Sequence, residues 1–243
     1  MQKNTLKRAV KQYVDQEIAL GEDEIVLPRA AHAERTLNRQ NQGAGDDARA
    51  RLFEDVRHTV EQCRKCPLGH VRLKAVFGIG NPHAQLMFVG EGPGYEEDHQ
   101  GEPFVGPAGR LLDAMIKAIG MSRESVYIAN IVKCHPMIDA LHPDQRNNDR
   151  PPTPEEVNAC LPYLDQQIEL IKPLVICSLG ASATKALLRT TEGITQLRGQ
   201  SFSYRGIALI PTYHPSALLR NPSLKRQSWE DLKKVRDAAC RAL

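Results

Sequence analysis

Leu86-Met87-Phe88-Val89-Gly90-Glu91-Gly92-Pro93-Gly94, running on into Tyr95-Glu96-Glu97-Asp98, is the stretch whose reading decides the fold. Its apolar opening reads as a buried strand. The glycines that follow let backbone lie close against a ligand, and the chain then passes through Gly101-Glu102-Pro103-Phe104-Val105-Gly106-Pro107-Ala108-Gly109 into a helix. A strand, a glycine-rich loop and a helix form the unit of an open α/β sheet, whose ligands gather at the carboxyl ends of the strands. Glu91 sits at such an end. A phosphate or nucleotide loop is the competing reading, and it is disfavoured because no Gly-Lys-Ser/Thr follows and the glycine spacing is not that of a dinucleotide fingerprint.

Downstream, residues 108–119 place Leu111, Leu112, Met115, Ile116 and Ile119 on one helical face and stop at Gly120. Residues 126–132 read as a second strand. Asn130 stands there among β-branched neighbours, and because a buried amide costs free energy unless paired, it is either satisfied locally or aimed at a ligand. Residues 135–150 read as loop, with His135, Asp139, His142, Asp144 and Asp149 in no recognisable metal spacing. Thr153-Pro154-Glu155-Glu156 supplies an N-cap, a first-turn proline and a capping-box acid for a helix carrying Cys160 on its second turn. Residues 174–178 are a third strand turning into a helix at Gly180, and residues 206–212 a fourth, ending in Tyr213-His214-Pro215-Ser216. Ser228 reads as the cap of the last helix. The alternation predicts an α/β fold, a three-layer α/β/α sandwich around a central four-stranded, mostly parallel sheet.

The length of 243 residues suits one substantial domain with appendages. Leu6, Val10, Val14 and Ile18 mark a helix over residues 5–20, and residues 38–50 have little to bury and read as a linker. The expected division is an N-terminal helical extension and linker over 1–50 and a functional domain over 51–243. Hydrophobic residues make up 41% and no apolar run approaches the roughly 20 needed to span a bilayer, so no membrane partner is expected. The N-terminus lacks the apolar core of a secretory signal, which points to a cytoplasmic protein, and a monomer is expected. Net charge is only +3, but residues 200–243 hold eight Lys or Arg against three acids, and Arg64, Lys65, Arg72 and Lys74 surround the first cysteines. Such patches suit phosphates or simply a solvated surface.

Cys63 and Cys66 stand two residues apart, with Cys134 and Cys160 far downstream. Cytosolic thiols stay reduced, so this pairing suits a metal or redox centre better than a disulfide, and four converging thiolates suit zinc or an iron–sulfur cluster alike. Cys177 lies inside the third strand as a core thiol and Cys240 on the terminal helix, so both stand outside the set.

Glu91, Asn130, Gly180 and His214 each fall at or near the carboxyl end of a strand. An acid, an amide and an imidazole on one sheet edge suit the breaking of a bond whose leaving group becomes anionic. Here the chain resembles the family 4, iron–sulfur uracil-DNA glycosylases. The resemblance runs from about Phe53 to Lys234. It is carried by Cys63-Arg64-Lys65-Cys66-Pro67-Leu68, Gly90-Glu91-Gly92-Pro93-Gly94, Glu97-Asp98, residues 101–106, Asn130-Ile131-Val132-Lys133-Cys134, Thr153-Pro154-Glu155-Glu156 and His214-Pro215-Ser216. It implies a uracil-DNA glycosylase-like domain acting on uracil-containing DNA. It implies a [4Fe–4S] cluster on Cys63, Cys66, Cys134 and Cys160, with zinc as runner-up. It further implies that Glu91 activates or positions water, His214 donates to the leaving uracil, Phe104 stacks on the base beside Gly92, Asn130 reads its amide edge, Leu218 wedges into the gap left by the flipped base and Arg220 holds the backbone.

One departure stands out: 25 residues separate Cys134 from Cys160, more than the resemblance implies, with the excess over residues 137–146. Related uracil-DNA cross-linking proteins carry an added loop here whose histidine captures the sugar covalently. This chain has no Lys-Arg-Arg-Ile-His string, which favours turnover, yet His142 keeps a covalent binder open as the alternative. A non-catalytic iron–sulfur DNA-binding module is the second alternative. An electron-transfer or radical enzyme is a third, which would want a cofactor fingerprint that is not found.

Overall fold

The structure is a computed structural model that describes the backbone of residues 39–240 and the side chains of residues 48–240. The helix read over residues 5–20 lies outside the described residues. Residues 47–243 form one compact unit. Six strands, β1 (Ile79–Gly80), β2 (Leu86–Gly90), β3 (Tyr127–Asn130), β4 (Val175–Leu179), β5 (Phe202–Tyr204) and β6 (Ile207–Thr212), make one sheet in the order β1-β3-β2-β4-β6-β5. The helices that matter below are α1 (Arg39–Gln62), α2 (Tyr95–Gln100), α3 (Pro107–Ala118), α4 (Pro154–Ile171), α5 (Gly180–Leu188), α6 (Pro215–Arg220) and α7 (Lys225–Cys240).

The four strands read from the sequence, β2, β3, β4 and β6, are parallel and contiguous. The expected four-stranded sheet is corrected to six: β1 and β5 add antiparallel edges of two and three residues. Segments so short show no alternation of their own, and pairing with an existing strand is what extends them.

Alternation along β2 builds two cores. Met87 and Val89 face Phe53 and Val60 of α1, Leu164 and Ile168 of α4 and Leu187 of α5. Leu86 and Phe88 face Leu112 and Ile116 of α3, Leu218 of α6 and Leu232 and Val235 of α7. Period-two side chains on a strand buried along its whole length thus produce the three layers. The helix after β2 covers one face and the helix after β4 the other. The chain therefore reverses between these strands, and a crevice opens at their carboxyl ends.

Three local readings change. Helix α1 is already formed at Arg39, the first described residue, so the described part of the stretch assigned to a linker is helical; a helix nucleated by the buried Phe53 and Val60 extends backward at little cost per residue. The glycine loop contains the short helix α2. Ser228 is buried inside α7 rather than capping it, with its hydroxyl 3.0 Å from Thr212 Oγ1. The Thr153 capping box forms as read: Thr153 Oγ1 accepts from Glu156 N–H at 3.3 Å and Glu156 Oε2 from Thr153 N–H at 2.8 Å. Among the described residues no helix is long and apolar enough to cross a membrane.

Candidate active site and cysteine centre

A cleft of about 650 Å³ opens at the carboxyl edge of the sheet, within the size range of small-molecule sites. Glu91, Gly92, Phe104, Asn130, His214 and Arg220 all line it. Asn130 ends β3 and is 1% exposed. Its backbone carbonyl accepts from Lys133 Nζ at 2.9 Å, while its side-chain Oδ1 is buried and has no partner. An orphaned buried acceptor costs on the order of 1–3 kcal/mol, which a ligand N–H would return.

Phe104 holds a backbone that bulky residues rarely adopt, φ 55°. Three contacts impose it. Glu97 Oε1 accepts from the N–H groups of Val105 (2.9 Å) and Gly106 (3.1 Å) on its C-terminal side. Arg123 donates to the Pro103 carbonyl on the other side. Gly109 passes so near that a Cβ there would lie 1.8 Å from the Phe104 carbonyl oxygen. Strain held in this way at a cleft is a mark of preorganisation. The Phe104 ring lies 5.6 Å from the His214 ring, tilted by 33°.

His214 occupies the N-cap of α6, where Nδ1 accepts from Ser216 N–H at 3.2 Å and sits 2.7 Å from the Ser216 hydroxyl. With Nδ1 committed as acceptor, the ring proton belongs on Nε2. Burial, and then the nearby Arg220 charge, push the imidazole down to about 4, so it is neutral at physiological pH. Gly180, at φ +87°, admits the histidine: a Cβ there would meet His214 Cβ at 2.8 Å.

The four cysteines read as a set line a second, small pocket together with Lys65, Arg72, Lys133 and Tyr163. Cys63 and Cys66 follow α1, Cys134 follows β3, and Cys160 projects from α4. Cys134 Sγ accepts from Arg72 Nη1 at 2.9 Å and Cys160 Sγ from the Lys133 N–H at 3.2 Å. As bare thiols the buried pair resist ionisation, Cys134 pushed up to about 12 and Cys160 to about 11, burial being the larger cause in both. Among the described residues no three Cys, His, Asp or Glu side chains stand close enough to close on one ion. Cys177 is fully buried in the core and Cys240 is exposed.

With this geometry in view, the chain was compared with known proteins, and the profile of the Uracil DNA glycosylase superfamily matches residues 77–233. The chain belongs to the uracil-DNA glycosylase superfamily. It is 44% identical to the type-4 uracil-DNA glycosylase of Sulfurisphaera tokodaii over 77% of this chain and 84% of that one. It is 45% identical to that of Thermotoga maritima, over 77% and 95%. The type-4 protein of Saccharolobus solfataricus is 43% identical over 74% and 82%.

Within this uracil-DNA glycosylase fold, one expected site residue is misplaced. Leu218 is 2% exposed and packs in the core beside α3, so it cannot leave to fill a gap in DNA without opening a cavity behind it. Its neighbour Leu219 is the exposed one, at 45%. His142 is also apart from the cleft: its side chain is 68% exposed and its Nδ1 donates to Asp139 Oδ2 at 2.7 Å. Two acids escaped the sequence reading as site residues. Glu97 lines the cleft and braces the Phe104 loop, and its place in the Tyr95–Asp98 acidic run was the available signal. Asp149 also lines the cleft, where it accepts from the buried His135 Nε2 at 2.6 Å; nothing in its local sequence marks it.

Proposed function

We infer that this protein is a uracil-DNA glycosylase, a hydrolase of DNA base excision repair that cleaves the N-glycosidic bond of uracil in DNA, releases free uracil and leaves an abasic site. The observation that carries this reading is Asn130, whose unpartnered Oδ1 sits in a cleft walled by Phe104 and His214. A base inside a duplex is out of reach of such a cleft, so the nucleotide is extruded into it. Uracil then stacks on Phe104, and its imide N–H donates to Asn130 Oδ1 while the Asn130 amide group donates to the adjacent carbonyl. As the bond breaks, negative charge gathers on uracil, and the neutral His214, with its proton on Nε2, donates to that oxygen. Glu91, at the head of the glycine loop, faces the cationic sugar and orients water, and Arg220 meets the phosphate backbone. Leu219 takes the wedge role for which Leu218 is too buried.

The cysteine pocket fits a [4Fe–4S] cluster. Lys133 supports this: it is 1% exposed, no carboxylate pairs with it among the described residues, and its Nζ reaches only Asn130 O and Gln167 Oε1. A buried ammonium needs a counter-charge. A cluster on four thiolates is net anionic and supplies one, and the Arg72 and Lys133 N–H donors to sulfur suit it as well. Zinc on the same four cysteines is the runner-up. When bound, the cluster is a structural crosslink joining the segment after α1, the end of β3 and α4. We assign the glycosylase domain to residues 51–243, with residues 1–50 as an extension, and take the protein to act as a cytoplasmic monomer.

The test is an end-labelled oligonucleotide carrying one uracil, split between alkali treatment and a denaturing protein gel. More than one alkali-labile site per protein molecule is the expected result. A denaturant-stable protein–DNA band without turnover would instead establish a covalent binder, and neither signal would leave a non-catalytic DNA-binding module.

A further inference from the structure

The long connection between β3 and α4 is built to hold its shape. Both of its ends line the base cleft, Pro136 at one and Asp149, Arg150 and Pro151 at the other. Met137 and Asp149 form an antiparallel bridge, Ile138 N–H donates to Asn148 O at 2.8 Å, and Arg150 N–H donates to Pro136 O at 3.0 Å. Inside the loop the Asn148 side chain is a strut, 3% exposed. Its Oδ1 accepts from Asp139 N–H at 2.7 Å and its Nδ2 donates to the carbonyls of Asp139 (2.7 Å) and His142 (3.1 Å). The outer flank is tied to α2 by Arg146, whose guanidinium bonds Glu96 at 2.8 Å and lies 4.8 Å from the centre of the Tyr95 ring.

With its polar groups engaged, this loop turns Leu141 (86% exposed) and Ile138 (70% exposed) into solvent, the two most exposed large apolar side chains among the described residues. A braced loop that presents apolar side chains to water beside a binding cleft marks a contact surface. We propose that Leu141, supported by Ile138, packs against the bases flanking the extruded nucleotide in duplex DNA. Continuity selects this occupant: DNA that seats a flipped base in the cleft brings its neighbouring bases to the rim from which the loop rises, and apolar wedges are what proteins insert between unstacked base steps. The local charges permit it. The Asp139 and Asp144 carboxylates accept hydrogen bonds from His142 and His99, and the Arg146 side chain, though paired with Glu96, is 71% exposed. A single strand lacks the rigid, paired stack in which a flipped nucleotide leaves a gap, so the loop serves duplex substrates.

This inference rests on the glycosylase reading, and the experiment separates the two. The full chain carrying Ile138→Ser and Leu141→Ser is compared with the wild type on matched duplex and single-stranded uracil oligonucleotides. In parallel, both proteins are added to a duplex with 2-aminopurine beside a stable abasic analogue, where fluorescence reports unstacking without any turnover. The expected result is a fall in duplex kcat/KM of roughly tenfold or more, single-strand kcat/KM within about twofold of wild type, and a fluorescence rise clearly smaller than that of the wild type, the remainder being due to Leu219. Leu141→Met alone should restore both signals. Unchanged duplex rates, an equal loss on both substrates, or a fluorescence rise that the substitutions leave undiminished or that never occurs in the wild type overturns the proposal. A wild type that raises the fluorescence yet releases no uracil from either substrate removes the glycosylase reading and leaves the loop assignment standing.

Discussion

Gly90 and Asn130 stand opposite each other in the parallel pair β2–β3, and a Cβ on Gly90 would come within 2.4 Å of Asn130 Oδ1. The same Cβ would lie 2.5 Å from Phe104 Cζ. One missing methyl group therefore lets the base-reading amide and the stacking ring share a wall. Gly90→Ala is expected to displace both side chains, lower uracil release by at least roughly tenfold and cost about 1–3 kcal/mol of stability as overpacking. Steady-state kinetics beside a urea melt check this; wild-type kinetics would mean that the wall is more compliant than its contacts.

Asn130→Ala should relax selectivity more than it slows chemistry. Because the lost acceptor served an imide N–H that cytosine lacks, discrimination against cytosine-containing oligonucleotides is expected to weaken, while the variant folds normally with its orphaned oxygen gone. Competition between uracil and cytosine substrates reads this directly, and unchanged selectivity would return Asn130 to a structural role.

His214→Ala should lower single-turnover release by at least roughly tenfold with binding less affected. The proton position can be tested separately. With the folded-state value depressed from 6.5 to about 4, first by burial and then by Arg220, nitrogen NMR should find His214 neutral with its proton on Nε2 at pH 6. The sign for stability follows. Between pH 6.5 and about 4 the unfolded chain takes up a proton that the folded chain refuses, so His214 is without penalty above 6.5 and destabilises the fold progressively as pH falls through that window. An imidazole that titrates near 6.5 in the folded protein would contradict this.

Cys134→Ser should abolish stoichiometric iron and sulfide in the purified protein and lower its melting temperature, whereas Cys240→Ser, at an exposed position, should change neither. Zinc found in place of iron and sulfide in the wild type would exchange the cluster for a single ion.

Much of this architecture can be read from the chain because its signals are local. The apolar run of β2, the Thr153–Glu156 capping box and the amphipathic face of α3 each declare themselves within a dozen residues. The edge strands β1 and β5 do not, since two or three residues become strand only through a partner. The choice between Leu218 and Leu219 on a six-residue helix is also invisible locally, because it depends on which side of α6 meets the core beneath it.

The sequence by itself determined the order of the four central strands and the helices that cover them, and the inventory of chemistry: one amide, one imidazole, the acids of the glycine loop and four cysteines in a recognisable spacing. Periodicity and covalent order are properties of neighbours along the chain. Only the tertiary structure decided that Asn130 Oδ1 is left without a partner, that His214 Nδ1 accepts from the Ser216 N–H, that Asp149 reaches the cleft and that Leu141 does not pack. Each of these depends on burial and on distances between residues far apart in the chain, and those exist only once the two faces of the sheet are covered.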